Sequence, residues 1–306
     1  MAEIQYYRHG RFRVAGGILP DAITAYCTYG DPANPCIVFP TCYGGKLDNV
    51  LFDFIESSLL EVLDPKKYYI VTFALFSNGE SSSPSNTDRS RAQYIVMTQK
   101  LSIKQVFCVV GFSMGGQQAY YWPVMYPDFV QSFLEGPKAA LVASKDFDNG
   151  HYVTTPQHGI RAFGRAYSAW AYGQTWFREE RYLYDGMYPD LQVFLREEWE
   201  AGFLNGWDAN DLITLLHTWQ NGDVSQIRHE GDLEKCLSEI KAKGLVMPCK
   251  TDLYFPPEDS RFEISCLKNA RLFVIDSIWG HMAGGGSNAQ DDDVLQNEIR
   301  KFLDEL

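Results

Sequence analysis

Short apolar runs recur along the chain, and between them apolar residues return every three or four positions. The runs at 36–39, 69–75, 106–110, 132–134, 244–247 and 271–275 read as strands buried on both faces. Residues 12–15 and 23–29 predict a leading antiparallel pair, while 49–62, 89–101 and 116–126 carry helical periodicity, the last interrupted by Pro123, which should kink it. Such alternation predicts an α/β class chain: a mostly parallel, doubly wound sheet with helices on both sides. The rhythm breaks between Ser144 and Asp232, where Trp170, Trp176, Trp199, Trp207 and Trp219 gather in a segment with no convincing strand. A helical insertion is expected there, dividing the chain into a first core part at 1–143, an inserted cap at 144–232 and a second core part at 233–306. No internal repeat is visible, and Gly284-Gly285-Gly286 running into Asp291-Asp292-Asp293 reads as a surface loop before the last helix.

The 106–110 run leads into Gly111-Phe112-Ser113-Met114-Gly115, and a helical segment starts near Gly116. A serine on a sharp strand-to-helix turn has its hydroxyl pushed clear of the sheet, and small residues two before and two after it permit so tight a turn. Gly111 and Gly115 occupy those positions. The pentapeptide alone also occurs in ordinary loops, so its weight comes from the strand before it and the helix after it.

A serine nucleophile needs a base, and the base needs an orienting carboxylate. After the 244–247 strand comes Thr251-Asp252-Leu253-Tyr254-Phe255-Pro256-Pro257; after the 271–275 strand comes Ser277-Ile278-Trp279-Gly280-His281. Taken singly, His281 is a solvated loop residue and Asp252 a turn former. Together with Ser113 they stand in the order Ser, Asp, His at strand ends, the arrangement of an α/β-hydrolase. Asp259 and Asp276 compete for the acid role, but Asp259 lies beyond the double proline and Asp276 stands five residues before His281. The other histidines, His9, His151, His158, His217 and His229, show no metal-ligand spacing and are assigned to surface or packing, so no metal is expected. Gly44-Gly45-Lys46 departs from a phosphate loop, with Pro40 at the first glycine position and Leu47 in place of Ser or Thr.

Acyl chemistry also needs donors for the developing oxyanion, normally the N–H after the nucleophile and one from the loop after the third strand. Met114 supplies the first. The Phe39-Pro40-Thr41-Cys42-Tyr43-Gly44-Gly45 loop supplies the second, placed at Cys42 with Thr41 and Tyr43 as alternatives. A sulfur nucleophile at Cys42 is the rival reading; no paired base is evident beside it.

Across nearly its whole length the chain resembles the homoserine O-acetyltransferase-like branch of the α/β-hydrolases. The resemblance rests on residues 111–119, Tyr126-Pro127-Asp128, the 76–86 loop, Trp219-Gln220-Asn221-Gly222-Asp223, 251–257 and Trp279-Gly280-His281. It implies triad roles for Ser113, Asp252 and His281, and matches Arg165-Ala166-Tyr167 and Trp176-Phe177-Arg178-Glu179 to the family's helical cap. The 86–91 stretch is shorter than in homoserine acetyltransferases, and Gln117-Gln118 with the serine-rich loop looks closer to hydrolase-type members.

Composition narrows the partners. A formal charge of -12 without a basic cluster argues against nucleic acid or an anionic membrane. The seven cysteines are scattered without a Cys-x-x-Cys pair and read as reduced; with a polar N-terminus, this predicts a cytoplasmic protein. Tyr167, Trp170, Tyr172, Trp176 and Phe177 fall in a window with few charges. A cap must bury one face and roof the site with another, so Tyr167, Trp170 and Trp176, with Tyr43, are the expected substrate contacts. Such a roof has little to grip a zwitterion. The expected activity is hydrolysis of an ester or thioester of a small, weakly polar acyl substrate through a seryl acyl-enzyme, with no cofactor. Acyl transfer from a thioester to an alcohol is the alternative, and a non-catalytic ligand-binding protein of the same fold is a third reading. A homodimer through the cap is the candidate assembly.

Overall fold

The computed structural model describes residues 3–14, 17–47, 62–82, 89–124 and 135–306. Strands β1 (Gln5–Val14) and β2 (Gly17–Tyr29) form the antiparallel pair. It is longer than the apolar pattern suggests, because Arg8, His9, Arg11 and Arg13 interrupt that pattern on a half-exposed ladder. β3 (Cys36–Pro40) and β4 (Tyr69–Phe73) are buried at every position and run parallel, with Cys36 opposite Tyr69. β5 (Cys108–Val109) is shorter than expected, but the N–H groups of Phe107 and Val110 still bond the carbonyls of Cys36 and Val38. The strand order is β1-β2-β4-β3-β5, with β3, β4 and β5 parallel. β6 (Gly244–Val246) and β7 (Ala270–Leu272) form a separate parallel pair, and these residues are half-buried rather than enclosed. The strand expected at 132–134 and all but the last residue of the helix expected at 49–62 lie outside the described residues.

Helix α1 (Arg89–Ile95) continues into a wider turn to Lys100, and α2 (Met114–Val124) follows β5 directly. α2 is described for one residue past Pro123, so the expected kink falls at the border of the described residues. After α3 (Glu135–Val142), the described elements up to β6 are all helical: α4 (Gln157–Ala171), α5 (Gln174–Arg178), α6 (Leu191–Phe194), α7 (Ala201–Leu204), α8 (Ala209–Gln220), α9 (Ser225–Arg228) and α10 (Leu233–Ser238), joined by tighter and wider helical turns. Aspartates start several of them: the Asp208 carboxylate accepts from the N–H groups of Asn210 and Asp211 at the head of α8, satisfying donors that have no partner inside the helix. The core of this segment is aromatic, with Phe163, Trp176, Phe194 and Trp219 fully enclosed. α11 (Pro257–Cys266) begins on the double proline, which pre-sets its first turn, and α12 (Ala289–Asp304) closes the chain. Among the described residues no helix is long and apolar enough to cross a membrane.

Candidate active site

The junction of β5 and α2 is built on steric necessity. A Cβ at Gly111 would lie 2.0 Å from the Gly115 carbonyl oxygen, and one at Gly115 would lie 2.6 Å from the Pro40 oxygen on β3. Neither position admits a side chain. Ser113 itself has φ +55°, a left-handed conformation costly to a residue with a Cβ, and its hydroxyl is thereby carried out of the helix line.

The Ser113 hydroxyl donates to His281 Nε2 at 2.9 Å, and His281 Nδ1 donates to Asp252 Oδ2 at 2.9 Å. A carboxylate can only accept, so Nδ1 carries the imidazole proton and Nε2 is left as the acceptor facing Ser113. The other Asp252 oxygen accepts from the N–H groups of Tyr254 at 2.7 Å and Phe255 at 3.1 Å, so the buried carboxylate is held at both oxygens. The competing acids stand elsewhere. Asp276 is exposed and pairs with Lys250 at 2.8 Å, and Asp259 sits exposed in the first turn of α11.

The loop after β3 lies against the elbow. Thr41 N–H bonds the Phe73 carbonyl, and Gly45 N–H turns back to the Cys42 carbonyl at 3.1 Å. Among the described residues no other residue accepts from Cys42 N–H or from Met114 N–H. The Cys42 thiol is half-buried, and burial pushes it up to about 11, so it stays protonated near neutrality; this weakens the sulfur-nucleophile reading.

Three side chains that the pattern did not single out surround the imidazole. Ring centres of Tyr254, Phe112 and Phe255 lie 4.8, 5.4 and 5.5 Å from that of His281. Their one signal in the sequence is adjacency to Ser113 and Asp252. Of the expected substrate contacts, Trp170 is half-buried and edges onto Tyr254, and Tyr167 keeps a little exposed surface. Trp176 requires a correction: it has no exposed surface and stacks on Tyr172 with centres 3.8 Å apart, so it packs the helical segment instead of facing a ligand. Tyr43 is similarly enclosed, its hydroxyl donating to the Leu212 carbonyl and its ring lying 5.4 Å from Tyr167. Large aromatics at helical spacing give up their surface to each other first, which is why this set lost members to the core.

The glycine-aspartate tract also departs from expectation. Asp291 and Asp292 are buried in the first turn of α12, where the helix dipole favours acids. Asp291 accepts from the Ser277 hydroxyl at 2.5 Å, and Asp292 accepts from Gly286 N–H at 3.0 Å. Thr251 donates to the Ser277 carbonyl at 2.9 Å and accepts from Gly280 N–H at 3.2 Å. The loop bearing His281 is therefore tied to the Asp252 turn and to α12. None of the seven cysteines is disulfide-bonded, and the described residues contain no cluster of three or more His, Cys, Asp or Glu side chains placed to hold a metal ion.

A family model described as the alpha/beta hydrolase fold matches residues 35–134. An ethyl acetate hydrolase from Pseudomonas veronii is 31% identical, the match spanning 94% of this chain and 91% of that one. A homoserine O-acetyltransferase from Trichormus variabilis is 26% identical over 66% of this chain and 62% of its own length. Among solved structures, the acetyl esterase MekB superposes with a TM-score of 0.89 at 27% identity, covering 99% of this chain and 97% of that one.

Proposed function

The chain belongs to the α/β-hydrolase family, in the branch that joins esterases to the more distant homoserine O-acetyltransferases, and from that premise we propose that it hydrolyses short-chain acyl esters, acetyl esters above all, through an acyl-enzyme on Ser113. The observation that carries this reading is the bonded series Ser113, His281, Asp252 beside two unpartnered backbone N–H groups. His281 Nε2 takes the proton as Ser113 Oγ attacks the ester carbonyl, and Met114 and Cys42 N–H groups receive the oxyanion. Collapse expels the alcohol, protonated by His281, and leaves the acyl-serine. Water, deprotonated by the same nitrogen, then releases the acid and restores Ser113. Asp252 keeps Nδ1 protonated and stabilises the imidazolium at each step. The helical segment 144–232 acts as a cap. Trp170 and Tyr167 with Phe112 and Phe255 give the site an aromatic wall with little to hold a zwitterion, which supports a small, weakly polar substrate and water as the final acceptor.

Nitrophenyl esters of increasing acyl length, each assayed with and without homoserine, test the proposal. The expected result is fastest turnover of the acetyl ester and no gain in rate with homoserine. A saturable rise in ester consumption on adding homoserine, with O-acylhomoserine formed, would make acyl transfer the activity.

A further inference from the structure

We infer that Gln118 is a positioning residue for the oxyanion site, its side-chain amide setting the plane of the Thr41–Cys42 peptide so that Cys42 N–H faces the reacting carbonyl. The inference rests on the proposed hydrolytic reading, in which Cys42 N–H is one of the two donors.

Gln118 lies one turn after Met114 on α2 and is buried, as are Gln93 and Thr41. Its Nε2 donates to the Thr41 carbonyl at 3.2 Å and to the Met114 carbonyl at 3.1 Å. Its Oε1 accepts from Gln93 Nε2 at 2.9 Å, and Gln93 Oε1 accepts from Trp122 Nε1 at 3.2 Å. An indole N–H can only donate, so Gln93 must turn its oxygen to Trp122 and its amide nitrogen to Gln118. Gln118 must then present its own nitrogen to Thr41. The direction of the whole series is set at one end by a group with no alternative, and no member can flip without leaving a buried polar atom unpaired.

The consequence follows from peptide geometry. The Thr41 carbonyl and the Cys42 N–H belong to one planar unit and point in opposite directions across a trans bond. Fixing the carbonyl toward α2 fixes the N–H away from it. The flanking bonds, Thr41 N–H to Phe73 and Gly45 N–H to the Cys42 carbonyl, hold the units on either side, and Leu75 N–H holds the Thr41 hydroxyl. Among the described residues the Thr41 carbonyl accepts from Gln118 alone. A donor on that carbonyl also polarises the peptide and strengthens its N–H toward an anion. Nε2 also bonds the Met114 carbonyl one turn back on α2, so the side chain that holds the loop peptide is itself anchored to the residue that follows Ser113.

Gln118→Glu, which keeps the shape but loses the donating nitrogen, and Gln118→Met test this in the full-length protein. Steady-state kinetics with nitrophenyl acetate are combined with a pH titration of the hemiketal that Ser113 forms with a carbonyl-labelled trifluoromethyl ketone, followed by carbon-13 resonance. The hemiketal ionises only as well as the donors hold its oxyanion. The expected result is kcat lowered about tenfold, less than the loss of a whole donor, with KM within about twofold and hemiketal ionisation raised by about one pH unit. If either variant fails to fold, Gln93→Met removes the amide that orients Gln118 and should move hemiketal ionisation the same way by a smaller amount. A folded variant with unchanged hemiketal ionisation and unchanged kcat overturns the inference. A wild-type protein that forms no hemiketal on Ser113 overturns the hydrolytic reading and this inference with it.

Discussion

Ser113 shows how much of the chemistry is decided by a single backbone angle. Its positive φ places Oγ within 2.9 Å of His281, and the missing Cβ atoms at Gly111 and Gly115 make that angle reachable. This part of the site was readable from the sequence, because a tight turn leaves a glycine signature. The turn that carries Asp252 was readable for another reason: Pro256 and Pro257, a few residues on, start α11 and leave Asp252 in the turn before it. Asp252→Asn is expected to lower kcat by about 10⁴-fold by presenting an amide where a carboxylate must hold the Nδ1 proton. Asp276→Asn, which loses only an exposed pair with Lys250, should keep kcat within about twofold. Measured side by side on nitrophenyl acetate, an inactive Asp276→Asn would transfer the acid role. Residues that line a site through packing left less trace. Trp176 and Trp170 stand on neighbouring helices in a similar aromatic context, yet one is enclosed and the other keeps surface, a distinction made by tertiary neighbours alone.

At the scale of elements, burial on both faces marked β3 and β4 plainly, while β1 was under-read because its outer face is charged. The start of α12 was misjudged for a related reason: three consecutive aspartates look solvated, but Asp291 accepts from Ser277 in the His281 loop and Asp292 from Gly286 N–H in the glycine loop before the helix. Another acid, half-buried, joins α2 to α11. Tyr120 donates to Glu263 at 2.8 Å, and burial raises the Glu263 carboxyl to about 7, with Asp259 adding to the rise. The unfolded carboxyl ionises near its ordinary 4.5, so between there and about 7 the folded state holds the extra proton. The stability linked to this group is therefore full below about 4.5 and is lost as pH rises through 7. Glu263→Gln keeps an acceptor for Tyr120 and cannot titrate. Its thermal midpoint should fall less than that of the wild type between pH 5 and pH 8, and parallel curves for the two proteins would show that Glu263 does not titrate in this range.

For the whole molecule, the order of strands and of chemistry-bearing turns carried the α/β-hydrolase assignment, because strand-end residues converge in such a sheet however long the segment between them. Composition alone said less: the charge of -12 argues against phosphate-rich partners without naming a substrate. Hydrolysis by this route passes through one covalent intermediate, tested most directly by mass spectrometry of enzyme quenched in acid during turnover of nitrophenyl acetate. One added acetyl group is expected, located after proteolysis on the peptide containing Ser113, and absent in Ser113→Ala. Turnover with no acetyl on Ser113, or with the acetyl on Cys42, would contradict it.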